Sequence, residues 1–164
     1  MKRVTKIALI AALSVGLVVI SSVIYFTSNE IFAQEETSNY SLDKINSIRA
    51  RSGLKKLSWN SKLEKAAESK ANDMVQNGYF DHTSPSGTKA WNFILDSGYS
   101  YRFAGENLAV DYNSVDDAFV AWQKSPSHLE NILSNKFTDY ALVEREGVIS
   151  GENVKIYVQL FGSL

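Results

Sequence analysis

The hydrophobic period of this chain changes once, and that change decides its fold class. In the front half apolar residues recur at helical spacing, while from Tyr140 onward they recur at every second position. Tyr140, Leu142 and Glu144 alternate with Ala141, Val143 and Arg145. Past a turn at Ile149-Ser150-Gly151-Glu152-Asn153, the residues Val154, Ile156, Val158 and Leu160 alternate with Lys155, Tyr157, Gln159 and Phe161. Two period-two runs about one glycine-containing connection predict an antiparallel hairpin. The aromatic, β-prone start of Tyr99–Val110, through Phe103, adds an extended segment. Helices first and a small antiparallel sheet afterwards make an α+β fold, with helices covering the sheet faces.

The helical part begins near Tyr40. Leu42, Ile45 and Ile48 or Arg49 share a face, with Ser41 as cap and Gly53 just past the end. A second stripe, Leu63, Ala66, Ala67, Lys70, Ala71 and Met74, follows a cap at Ser58 or Asn60 and stops at Asn77-Gly78. The loop Tyr79–Gly87 is rich in turn residues. A short third helix is expected to turn Trp91, Ile94 and Leu95 inward and to close at Gly98. Ser114-Val115-Asp116-Asp117 resembles a capping box and opens a helix that buries Ala118, Phe119, Ala121 and Trp122. Ser125-Pro126 then restarts the helix, serine accepting a main-chain N–H and proline filling a position that needs none.

The N-terminus speaks to destination. Lys2, Arg3 and Lys6 precede an uncharged apolar run over residues 7–26. Twenty residues at helical rise span roughly 30 Å, about the thickness of a hydrocarbon core. A signal peptide has a shorter apolar region, about 7–15 residues, and small residues at its cleavage site. Residues 1–33 therefore read as either a cleaved signal peptide or a membrane anchor, the transmembrane helix lying over residues 7–26 if uncleaved. Both place the remainder extracellularly or on the outer face of the cytoplasmic membrane. Residues 34–39 read as a polar tether and 40–164 as the folded domain. Three basic residues against Glu30 give residues 1–33 a net +2; with −1 overall, the remainder carries −3. Nothing in that balance favours nucleic acid. The chain has no cysteine, which excludes disulfides and thiolate metal sites and leaves stability to packing.

The chain holds two histidines, each at a boundary of regular structure. His82 sits in the loop Asp81-His82-Thr83-Ser84-Pro85-Ser86-Gly87, and His128 in the first turn after Pro126, where the helix dipole opposes protonation and favours a neutral ring. Glu106, in Gly105-Glu106-Asn107-Leu108-Ala109, is a carboxylate at another such boundary. Each residue also has a plain structural reading. The histidines serve equally as a turn residue and a helix-start residue, and Glu106 as a partner of Arg102. Asn107 and Asn131 read as holders of main-chain groups, Trp91 and Trp122 as core, and Ser125 as a cap more than a nucleophile. No metal motif such as HExxH is present.

Residues from about Tyr40 to the C-terminus resemble a CAP-superfamily (SCP-like) domain in its bacterial form. The matching pieces are Asn46 and Arg49, His82-Thr83-Ser84-Pro85-Ser86-Gly87, Gly105-Glu106-Asn107-Leu108-Ala109, Ala121-Trp122, Ser125-Pro126-Ser127-His128, Asn131-Ile132-Leu133 and Tyr157-Val158-Gln159-Leu160-Phe161-Gly162. The resemblance implies an α-β-α sandwich with a cleft lined by two histidines and two acids. His82 and His128 take the histidine places and Glu106 one acidic place. Ser125 stands near the place of the second acid, so the set of four is incomplete. Two neutral imidazoles and a carboxylate, His82, His128 and Glu106, suit a divalent ion such as zinc (Zn2+) with an open water position, or acid and base work without metal. The resemblance implies a non-catalytic module that holds an envelope glycan, peptide or lipid. The alternative is a metal-assisted or His/Glu-dependent hydrolase of wall polymer or peptide.

Overall fold

Helix α2 (Ser61–Asn77) is defined at both ends by side-chain and backbone chemistry. In the computed structural model, which describes residues 36–164, the Asn60 side chain accepts from the main-chain N–H groups of Lys62 and Leu63. Gly78 turns left-handed at φ 66° and closes the last turn. Leu63, Ala66, Ala67, Ala71 and Met74 are fully buried, and the short alanines let the helix lie close to the sheet. Helix α1 covers residues 36–51. Helices α3 (Ala90–Asp96), α4 (Val115–Lys124) and α5 (Pro126–Ile132) complete the helical set of the described residues. Ser114 caps α4 by accepting from the Asp117 N–H at 3.2 Å, as its sequence predicts.

The sheet has the order β1-β3-β4-β2, with β1 (Ser58–Trp59), β2 (Phe103–Val110), β3 (Asp139–Ile149) and β4 (Glu152–Ser163). Strands β3 and β4 form the expected antiparallel hairpin, β2 adds antiparallel to β4, and two-residue β1 adds parallel to β3. The hairpin turn is tighter than the expected five-residue connection. Ile149 still pairs with Glu152, and only Ser150 (φ 55°) and Gly151 (φ 87°) lie outside the ladder. Two left-handed residues give the turn whose twist matches that of the strands.

Alternation along the strands builds two cores. Tyr140, Leu142, Tyr157 and Phe161 pack with Ile45, Phe119, Trp122 and Ile132 on the α1, α4 and α5 side. Ala141, Val143, Ile156, Val158 and Leu160 pack with Leu63, Met74 and Ile94 on the α2 and α3 side. The fold is an α+β sandwich, a small and mainly antiparallel sheet covered by helices on both faces.

Several expectations need correction. Residues 36–39, expected in the extended tether, are already helical, and Ser41 lies inside α1 with its hydroxyl on the Ser38 carbonyl at 3.0 Å. Strand β2 starts at Phe103, where the extended segment was expected to finish, because pairing with β4 carries it to Val110. Trp91 and Leu95 face outward, 37% and 53% exposed. Helix α3 has seven residues, of which Ala90 and Ile94 are buried, and Trp91 rests against the Tyr101 ring instead. The expected transmembrane helix, and with it a membrane partner, is not found among the described residues. Among the described residues no helix is long and apolar enough to cross a membrane. Residues 7–26, on which that expectation rested, lie outside the described residues.

Candidate functional site

Strand β2 is the outer strand of the sheet on one side, and the site is built around it. An open strand edge invites pairing with another chain. Here two carbonyls of β2 are taken by side chains: Trp122 Nε1 donates to Leu108 O at 3.0 Å, and Asn131 Nδ2 donates to Glu106 O at 3.1 Å. Helices α4 and α5 are thereby fastened along β2.

Asn107 locks this arrangement from within. Its buried amide donates to Gln159 Oε1 at 2.7 Å and to the His128 carbonyl at 3.1 Å, and its oxygen accepts from Asn131 at 2.8 Å. Gln159 in turn donates to the Tyr140 hydroxyl at 3.3 Å. Arg49, 1% exposed, grips the end of α5, Nη1 donating to the carbonyls of Ile132 and Ser134 at 2.8 Å. Nε donates to Lys55 O at 2.9 Å. The bond to Ile132 O satisfies the last carbonyl of a seven-residue helix that could not hold itself, and the bond to Ser134 O fixes the chain just past it. The main chain at His128 is therefore fixed by β2 and α1 together.

Lys70 positions the other side. It is fully buried in the apolar stripe of α2, with Nζ donating to Asp81 O at 2.8 Å, His82 O at 3.2 Å and the Tyr79 hydroxyl at 3.1 Å. The Tyr79 hydroxyl donates onward to the Asp73 carboxylate. Burial lowers the pKa of Lys70, against the pull of Glu106, Asp73 and Asp81. The Asp81 side chain accepts from the Thr83 N–H at 2.9 Å, which turns the loop.

These supports bring His82 onto Glu106. His82 Nδ1 lies 2.6 Å from Glu106 Oε1. The Glu106 side chain is 2% exposed and that of His82 59%, so an open imidazole lies over a covered carboxylate. Glu106 Oε2 is buried with no hydrogen-bond partner among the described residues. The bond to Glu106 raises the His82 pKa, outweighing burial. His128, half-buried, is lowered by burial first and then by the charge of His82. The expected pair of neutral rings is thus corrected. His82 is driven toward its protonated form and His128 away from it, by burial and a neighbouring charge.

Ser125 does not share the contacts of this group. Its main-chain carbonyl accepts from the Leu129 N–H at 2.9 Å, but its hydroxyl makes no cap bond and lies 3.3 Å from Ser127 Oγ. It lines a different groove, with Tyr112 and Asp117. The expected partnership of Glu106 with Arg102 is replaced by His82, and Arg102 lies over the Phe103 ring.

Zinc is corrected as well. Among the described residues no group of three or more His, Cys, Asp or Glu side chains could hold a metal ion. In the set His82, Glu106 and His128, His82 Nδ1 and Glu106 Oε1 are already engaged with each other.

Sequence reasoning missed Lys70 and Gln159. The signal for Lys70 was present, a lysine within an otherwise apolar, alanine-rich stripe. Gln159 was hidden in plain alternation.

Comparison with known proteins identifies the domain. The family described as the cysteine-rich secretory protein (CAP) family matches residues 42–142. The Bacillus subtilis (strain 168) protein YkwD is 38% identical over 97 residues, 59% of this chain and 38% of that protein. A membrane protein of the same organism, YlbC, is 29% identical over 120 residues, 73% of this chain and 32% of that protein. The chain thus spans less than two fifths of the length of these curated relatives. An extracellular protein containing an SCP domain from Bacillus anthracis superimposes with a TM-score of 0.68 at 27% identity, over 80% of this chain and 41% of that one. An outer surface protein of Borrelia burgdorferi gives 0.66 at 26%, over 76% and 90%. With its sandwich fold and this match over most of its described length, the chain belongs to the CAP, or cysteine-rich secretory protein, family.

Proposed function

We propose that this CAP domain is an exported, non-catalytic binding module whose ligand docks on His82 and Glu106 beside His128. Export is supported by the basic-then-apolar pattern of residues 1–26 and by the extracellular relative. The observation that carries the binding reading is Glu106 Oε2, a covered carboxylate oxygen without a partner beneath an exposed imidazole. A buried unpaired acceptor is costly, and a ligand hydroxyl or amide N–H would satisfy it. Protonated His82 offers a donor to the same ligand. That chemistry suits an envelope glycan or peptide.

The alternative of a His/Glu hydrolase draws less support. No Ser, Thr or Tyr hydroxyl among the described residues is hydrogen-bonded to either imidazole, which is the arrangement nucleophilic catalysis uses. Saturable binding of the protein to one purified envelope fraction, weakened by His82→Ala and Glu106→Gln, is the expected result. Release of soluble fragments from that fraction by the wild type, abolished in His128→Ala, would replace the module with an enzyme.

A further inference from the structure

The turn between β2 and α4, Asp111-Tyr112-Asn113, has no part in the His82–Glu106 pair, yet it stands between two grooves. One groove, of about 630 Å3, includes Asp117, Val120 and Lys124. The other, also about 630 Å3, includes Glu146, Val148 and Asn153. Both include Asp111, Tyr112 and Asn113. Each is of the size that takes a small organic ligand.

The turn is held, not loose. Asp111 adopts a left-handed backbone at φ 61°, a conformation that costs a residue with a side chain. Its N–H donates to Lys155 O at 2.9 Å, and the Tyr157 hydroxyl donates to Tyr112 O at 3.2 Å. Burial raises the Tyr157 phenol to about 12, so this donor persists at all ordinary pH. Tyr112 is thereby presented outward, 37% exposed, with Val120 and Val148 exposed as well.

We propose that the two grooves flanking Tyr112 form one binding site for a neutral, hydroxyl-rich glycan strand, with the Tyr112 ring as the stacking platform between them. A large aromatic kept out of the core gives an apolar face at little entropic cost. The carboxylates of Asp111 and Asp117 and the amides of Asn113 and Asn153 suit hydroxyls as acceptors and donors. An anionic polymer fits poorly. Asp111, Asp117 and Glu146 outnumber Lys124 and Lys155, and Lys155 is already paired with Glu144 at 2.8 Å and Glu146 at 3.5 Å. This site is separate from the His82 pair and does not rest on the function proposed for it.

Isothermal titration of the full-length chain with a β-1,4-linked N-acetylglucosamine tetramer tests the assignment, with tetralysine as the competing probe. One saturable sugar site is expected. Tyr112→Ala should weaken it about tenfold, while Tyr112→Phe, which keeps the ring, should stay within about threefold. Asp111→Gly should also weaken binding without loss of thermal stability, since glycine relieves the left-handed backbone while removing the carboxylate. No saturable sugar binding, or equal affinity in Tyr112→Ala, overturns the proposal. Saturable tetralysine binding that excludes the sugar overturns it too, and assigns the grooves to a cationic peptide.

Discussion

The buried ammonium of Lys70 donates to the main-chain carbonyl of His82 at 3.2 Å. Through that bond and its neighbour on Asp81, helix α2 sets the loop that lays His82 on Glu106. Lys70→Met tests the tether. It leaves two loop carbonyls without their donor and should lower stability by about 1–3 kcal/mol. Loss of the positive charge alone would raise the His82 pKa further, because Lys70 lowers it. Release of the loop would lower it toward the ordinary value near ~6.5. The expected outcome is the fall, read from the His82 ring signals by NMR. A rise would mean that the pair persists without its tether.

Two histidines in the chain make the pH behaviour readable signal by signal. His82 should titrate above the ordinary value and His128 below it. A raised folded-state pKa means that His82 contributes stability fully below about 6.5 and loses it as pH rises through the raised value. The lowered His128 acts in the opposite sense, favouring the fold above about 6.5 and costing stability as pH falls toward its lowered value. Glu106→Gln should bring His82 down, and His82→Ala should bring His128 part of the way up, because burial still holds it low. Two titrations indifferent to both substitutions would show that the three residues do not form one electrostatic unit.

Gly105 is needed for space. A Cβ there would lie 2.8 Å from the Phe137 ring and 2.9 Å from Asn131 Oδ1. Gly105→Ala should therefore destabilise by about 1–3 kcal/mol. It should also displace Asn131, which holds the Glu106 carbonyl, and shift the His82 resonances. Urea unfolding gives the first effect and NMR the second. Unchanged stability would show that Phe137 moves aside freely.

The hairpin offers a gain. Ser150 occupies the first left-handed position of a two-residue turn, where asparagine is favoured. Ser150→Asn should stabilise by about 0.5 kcal/mol without changing the denaturant slope, because it alters one local backbone preference. A loss of stability in the same urea titration would contradict the turn type.

The periodicities of this sequence determined its long helix α2 and its hairpin. Alternation from Tyr140 to Phe161 is a property of neighbouring residues, as are the cap at Asn60 and the left-handed turn at Gly78, and each was legible along the chain. Ser150 and Gly151 alone determined a turn, though not how few residues it leaves unpaired. What the tertiary structure decided was partnership. Glu106 had Arg102 nearby in sequence, but the face of β2 on which it lies turns it to His82, 24 positions away. Ser125 lay close to His128 along the chain, yet the break between α4 and α5 aims it at the groove of Tyr112. Lys70 and Arg49 read as members of helical faces. Their ammonium and guanidinium groups become fasteners only once a loop and a short helix offer bare carbonyls at the right distance. A hydrogen bond demands its geometry within a few tenths of an ångström, and periodicity along one element carries no information on the distance to another.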